Sequence, residues 1–336
     1  MHKLTTLEAG RGIAALLVVA CHATALISLS TNPPNTFFKF GYSGVDFFFV
    51  LSGFIITFVH FKDFGHPERF LAYARKRFIR IYPPYWAVIL LLAPVFLLAP
   101  SLTQSYKRDP WFILGSLLLV PQPRVPVLPV SWTLVYEMFF YTLLGIMIVS
   151  RRLGIGIVAL WVLFLGVCQF MSFDFPLSFL SQPRALEFLL GVGVATLTCT
   201  TSGPGKIPAL LLMTLGTLSF LVTGILESFN PPKYWPLLYG LSATAFVAGA
   251  VALEREGRLK AGNWFVLLGA ASYSIYLTHY PLLVGEAIMM SKMKLFDVFN
   301  ANLLVAFGIC LTAGIGILFH LYIEKPVSGF VSSKLR

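Results

Sequence analysis

The chain has 336 residues, 57% of them hydrophobic and 12% charged, with a formal net charge of +11. Soluble domains carry about 25% charged residues, so this composition excludes an ordinary soluble domain. The basic residues sit in short clusters between apolar runs, as topology signals do, which argues against a nucleic-acid partner.

Apolar runs of the length that crosses a hydrocarbon core, roughly 17–25 residues, recur from end to end. Ten spans are predicted, near 10–30, 42–61, 78–99, 132–150, 153–171, 185–200, 207–226, 237–253, 263–285 and 301–322. The expected fold is all-α integral membrane: about ten transmembrane helices plus a short re-entrant or interfacial helix. Residues 1–336 read as a single membrane-embedded domain with no separate soluble domain.

The first run follows Lys3 and Arg11 and superficially resembles a signal peptide. His22 interrupts it and no small-residue cleavage site follows, so it reads as a retained span. Within RGIAALLVVACH, Arg11 and His22 are eleven residues apart. At about 100° and 1.5 Å per residue they share a helix face, roughly 16 Å apart along the axis. One face thus offers a cation near the mouth and an imidazole deep in the bundle. That geometry suits a long anionic carrier whose phosphates meet the cation and whose reactive end reaches the imidazole. Taken alone, the pair also reads as an interfacial arginine and a histidine bonded to a neighbouring helix.

The second run carries Asp46 and Ser52. The third opens with YARKRFIRIYPPYW, where Arg77 and Arg80 lie three apart on one face. Planar guanidinium groups suit phosphate, although the same cluster is ordinary juxtamembrane charge when read by itself. Between 100 and 131 five prolines (Pro110, Pro121, Pro123, Pro126, Pro129) flank an apolar piece, Trp111 to Val120, too short to cross. Next comes SWTLVYEMFFY, which places Glu137 about two turns inside a helix, where a carboxylate needs a partner or a proton. Arg184 and Glu187 are further ionisable residues at membrane depth. SYSIYLTHYP interrupts the ninth span with Tyr276 and His279, i,i+3 neighbours that either act chemically or join helices by polar contact.

With ten spans and the N-terminus inside, 17 of the 25 lysines and arginines fall on the inner side. Counting the short piece as an eleventh span would put Arg151 and Arg152 on the wrong side. Both termini are therefore expected in the cytoplasm. Four cysteines without paired spacing predict neither a disulfide framework nor a metal site.

Together Arg11 with His22, GVDFFFVLSGFII, RKRFIRIYPPYW, WTLVYEMFFY, SYSIYLTHYP and the terminal YIEKP resemble acyltransferase family 3, the bacterial integral-membrane O-acyltransferases. Within it the chain looks most like the exopolysaccharide O-acetylases. The resemblance implies a location in the bacterial inner membrane, acetyl-CoA as cytoplasmic acyl donor, and a glycan or lipid-linked saccharide hydroxyl as acceptor. It also implies that Arg11 and His22 are essential and that Arg77 and Arg80 match an R-x-x-R element. The mechanism expected is donor binding at Arg77, Arg80 and Arg11, with His22 as general base and Glu137 orienting it. Ser52, Tyr276 or His279 would support the developing oxyanion. A flippase or transporter for a lipid-linked saccharide would use the same buried His and Glu, but no internal repeat is apparent. A catalytically silent assembly partner is the third reading.

Overall fold

The structure is a computed structural model that describes residues 4–27, 38–98, 104–168, 170–171, 173–201, 203–229 and 235–335. Among the described residues it is all-helical, with no strand. The principal helices are α1 (Thr5–Ile27), α2 (Gly44–His60), α3 (Phe70–Leu98), α4 (Pro110–Leu117), α5 (Trp132–Val149) and α6 (Arg151–Val167). They are followed by α7 (Leu186–Thr200), α8 (Lys206–Phe229), α9 (Trp235–Arg255), α10 (Asn263–Lys292), α11 (Ala301–Phe319) and α12 (Lys325–Lys334). Each of the ten apolar segments coincides with one of these helices, although residues 28–30, 99 and 169 lie outside the described residues.

Among the described residues six segments are long and apolar enough to cross a membrane by length and composition: Thr5–Ile27, Lys39–Asp63, Pro129–Val149, Lys206–Glu227, Pro236–Arg255 and Ala301–Lys334. Helices α6 and α7 have only 17 and 15 residues, and α3 and α10 carry more polar side chains. In lipid a helix is favoured because it satisfies every backbone polar group within the segment.

The chain forms two compact units, Met1–Phe58 with Glu187–Tyr322, and Val59–Leu186 with Ile323–Arg336. The first is held by close backbone approaches at small residues, the usual device where helices meet in a bilayer. A Cβ on Gly12 would lie 2.9 Å from the Gly269 amide nitrogen, and one on Gly269 would lie 1.9 Å from the Glu8 carbonyl oxygen. Glycines at both positions therefore bring α1 against α10. Gly53 and Gly191 do the same for α2 and α7, where added Cβ atoms would meet Phe188 O at 2.1 Å and Val50 O at 1.9 Å. Between these helices lie two apolar clusters. One contains Leu7, Phe47, Val50, Phe54, Val247 and Val251; the other contains Ala15, Val19, Ile27, Ile275, Leu283 and Leu304.

In the second unit α5 turns into α6 at Ser150, whose hydroxyl caps α6 by accepting from the Leu153 amide at 3.4 Å. The short apolar piece of the proline-rich segment is α4, eight residues long. Asp109 caps it, accepting from the amides of Trp111 and Phe112 at 2.8 and 3.0 Å, with Pro110 at the first helical position. The carbonyls at its other end have no partner within the helix. Three side chains of α3 supply them: Tyr85 donates to Ser116 O (2.7 Å), Trp86 to Leu117 O (2.9 Å) and Tyr82 to Leu118 O (2.9 Å). The YPPYW motif thus clamps α4.

Candidate active site

Helices α1 and α10 run parallel, and one ten-residue step serves both. It leads from Gly12 to His22 on α1 and from Gly269 to His279 on α10. The glycine contact therefore brings the two histidines to one level, about 15 Å further along the pair. His279 Nε2 lies 3.2 Å from His22 Nδ1, with ring centroids 5.0 Å apart. His22 Nδ1 is also 3.0 Å from the Val18 carbonyl oxygen, and His279 Nδ1 is 2.6 Å from the Tyr276 carbonyl oxygen. Tyr280 stands edge-on to the His22 ring at 5.6 Å. His279 is wholly buried, whereas His22 is half-buried. A half-buried imidazole with one ring nitrogen held in place is the arrangement a proton-transfer group needs.

Of the other residues predicted in this unit, Tyr276 is buried, with its ring against those of His279 (5.4 Å) and Phe48 (6.0 Å). Ser52 is half-buried on α2, and Arg11 half-buried on α1. The end of α1 nearest Arg11 is anchored by a residue that sequence reasoning missed. The Glu254 carboxylate accepts from the Thr5 amide (2.6 Å), the Thr5 hydroxyl (2.5 Å) and the Thr6 amide (3.0 Å), a cap lent by α9. A second missed group is Glu227, whose two oxygens accept from Tyr42 and Tyr239, each at 2.7 Å. Asp46 and Glu187 are buried in this unit too.

The second unit holds the arginines. Helix α3 begins at Phe70, two turns before the predicted span, so Arg75, Lys76, Arg77 and Arg80 are all helical. The Arg77 guanidinium lies over the Tyr141 ring, 5.6 Å from its centroid. The Tyr141 hydroxyl donates to Glu137 Oε1 at 2.5 Å, one helical turn away. Tyr73 donates to the Tyr141 carbonyl at 2.8 Å, and burial pushes the Tyr73 phenol up, which keeps it a neutral donor. Glu137 is thus tied into an Arg77–Tyr141 cluster. Arg80 pairs through Nη1 with Glu324 Oε1 at 3.2 Å, and the Glu324 side chain is only 6% exposed. Arg75 donates to the Leu335 carbonyl, fastening α12 along α3. Arg184 lies over the Trp132 ring at 6.0 Å. His60, also unflagged by sequence, donates or accepts through Nδ1 with Asp63 Oδ2 at 2.7 Å.

The arrangement can therefore perform proton transfer at His22 in one unit and anion binding at an arginine face in the other. Among the described residues no group of three or more His, Cys, Asp or Glu side chains is placed to hold a metal ion.

The family described as "Acyltransferase domain" matches residues 4–321. The exopolysaccharide production protein ExoZ of Rhizobium meliloti is 31% identical over 259 residues, covering 72% of this chain and 76% of the relative. YrhL of Bacillus subtilis, provisionally named a peptidoglycan O-acetyltransferase, is 27% identical over 371 aligned positions, 98% of this chain and 56% of the relative. A Staphylococcus aureus (strain COL) protein, provisionally named an O-acetyltransferase, is 24% identical over 279, 72% of this chain and 46% of the relative. The chain thus spans about half the length of these last two. No solved structure matches it. A match over nearly the whole chain, together with ExoZ, establishes that this multi-pass membrane protein belongs to the acyltransferase family.

Proposed function

We propose that the protein is a membrane-bound O-acyltransferase that moves an acetyl group from cytoplasmic acetyl-CoA to a hydroxyl of an exopolysaccharide or other glycan. The observation that carries this reading is the half-buried His22, held from one side by His279, in a chain of the acyltransferase family. The ExoZ relative is named for exopolysaccharide production, which favours a glycan acceptor.

In the proposed reaction Arg77 and Arg80, with Arg11 at the mouth of α1, hold the donor's phosphates. His22 takes the proton of the acceptor hydroxyl as its oxygen attacks the thioester carbon. The carbon–sulfur bond breaks, an ester forms, and the proton passes to the departing CoA thiolate. Glu137 acts through Tyr141 on the Arg77 side. Ser52 and Tyr276 are candidate donors to the developing oxyanion. The protein would cross the bacterial inner membrane ten times, with both termini and the arginine face in the cytoplasm.

Incubating the purified protein with labelled acetyl-CoA and the polysaccharide of its own cell tests the reaction. Label in the glycan, lost in the His22→Ala variant, is expected. Donor left intact in both proteins would refute the reading. Orientation is tested with single cysteines at Gln104 and Gly205, both exposed, in a background without native thiols. An impermeant maleimide applied to intact cells should label position 104 and spare 205.

A further inference from the structure

We infer that His279 is the positioning residue that fixes the tautomer of His22, leaving Nε2 of His22 as the reacting nitrogen. The inference follows from proton bookkeeping at four atoms. His279 Nδ1 lies 2.6 Å from the Tyr276 carbonyl oxygen, and a carbonyl can only accept. His279 Nδ1 therefore carries a hydrogen. A neutral imidazole has one N–H, so His279 Nε2 is a lone pair. A second proton there would leave an imidazolium wholly buried, and burying a charge without a counter-charge is costly.

That lone pair faces His22 Nδ1 at 3.2 Å, and the Val18 carbonyl oxygen faces the same nitrogen at 3.0 Å. Both neighbours of His22 Nδ1 are acceptors. His22 Nδ1 must carry the hydrogen, shared between them, and His22 Nε2 is left with the lone pair. The histidine pair thus performs what a carboxylate performs in a triad: it selects the tautomer and holds the ring. It does so without a permanent charge. When His22 gains a proton on Nε2, its Nδ1–H becomes a stronger donor, and the bond to His279 tightens as charge develops.

This places His279 in a different role from the oxyanion donor expected from sequence. Its one hydrogen is committed to Tyr276 O, 2.6 Å away. The side chain can be replaced in a way that separates the two roles. In His279→Gln the side-chain carbonyl can accept where Nε2 accepts; in His279→Leu nothing can.

The catalytic consequence rests on the acyltransferase reading, whereas the tautomer does not. Protein labelled with ¹⁵N-histidine in lipid nanodiscs, with signals assigned by their loss in His22→Gln and His279→Gln, reports both tautomers directly. Nδ1–H forms of both residues are expected, and an Nε2–H form of His22 in the wild type overturns the proposal. In activity, His279→Leu should lower kcat about 10–100-fold, the cost of losing a partner that orients a functional histidine. KM for acetyl-CoA should be unchanged, and the Gln variant should recover most of the loss. Equal kcat in the Gln and Leu variants, both folded by thermal melting, would also overturn it. If the wild type shows both Nδ1–H forms but transfers no acyl group, the functional reading fails and the tautomer assignment stands.

Discussion

The α1–α10 histidine pair and the α3 arginine face treat charge in opposite ways. His22 and His279 meet between two parallel helices brought together by Gly12 and Gly269, and the carbonyls around them can only accept. Arg77 and Arg80 sit on one helix, Arg77 over the Tyr141 ring and Arg80 paired with Glu324. Reactive chemistry calls for a group whose proton is poised, so its neighbours must be neutral and fixed. Binding an anion calls for a permanent charge, and that charge must be held while the ligand is away. For Arg80 the Glu324 carboxylate, 3.2 Å away, serves as its partner and orders the guanidinium.

The sharpest way to break this comparison is to remove the proposed base. His22→Ala should cut turnover by about 10²–10⁴-fold, the span of general acid–base catalysis, while donor binding measured by calorimetry stays near wild type. Near-normal turnover would move proton transfer elsewhere. The next effect down concerns the contact that sets the histidines level. In Gly269→Ala the new Cβ would lie 1.9 Å from the Glu8 carbonyl oxygen, which is backbone and cannot swing aside. Overpacking of this kind costs about 1–3 kcal/mol. The variant should melt earlier and lose kcat as well, because α1 and α10 must part. A melt unchanged from wild type would show that the two helices tolerate separation.

On the arginine face the expected effects are smaller and fall on binding. Arg80→Ala should weaken acetyl-CoA binding by about 1.5–3 kcal/mol, the worth of hydrogen bonds to a charged group, with little change in kcat. Glu324→Gln, which leaves Arg80 in place without its 3.2 Å carboxylate, should weaken it by less. The comparison sharpens if the two variants differ in KM alone. It breaks if either lowers kcat as much as a change at His22.

What could be read from sequence divides along the same line. Runs of apolar residues mark helices because a helix satisfies its own backbone. The described parts of all ten segments fell on helices, six of which are long and apolar enough to cross a membrane. Arg11 with His22, and Arg77 with Arg80, were visible because each pair shares one helix face. Contacts between helices were not visible. His22 and His279 are 257 positions apart, and Arg80 and Glu324 are 244 apart, with no periodicity linking them. Glu324 was read only as part of a terminal motif, and Glu254, the cap of α1, was not singled out. A residue whose role is to hold another leaves no mark on its own helix.

The smallest effect concerns α4, which sets a third case beside the two sites. Here the α3 side chains Tyr82, Tyr85 and Trp86 are hydrogen-bond donors to a helix end and carry no charge. Tyr82→Phe removes only its bond to the Leu118 carbonyl and keeps the ring that stacks on Phe78 at 5.0 Å. A single neutral hydrogen bond contributes about 0.5–1.5 kcal/mol net, and the two other clamps remain. The expected result is a small fall in melting temperature, faster exchange of the amides in 110–117, and kcat and KM both near wild type. Tyr85→Phe should cost more, because the Tyr85 hydroxyl is fully buried and its loss leaves the Ser116 carbonyl without that donor. If Tyr82→Phe instead lowers kcat while the melt is unchanged, α4 is part of the reaction, and the division between a reactive pair and a binding face needs a third member.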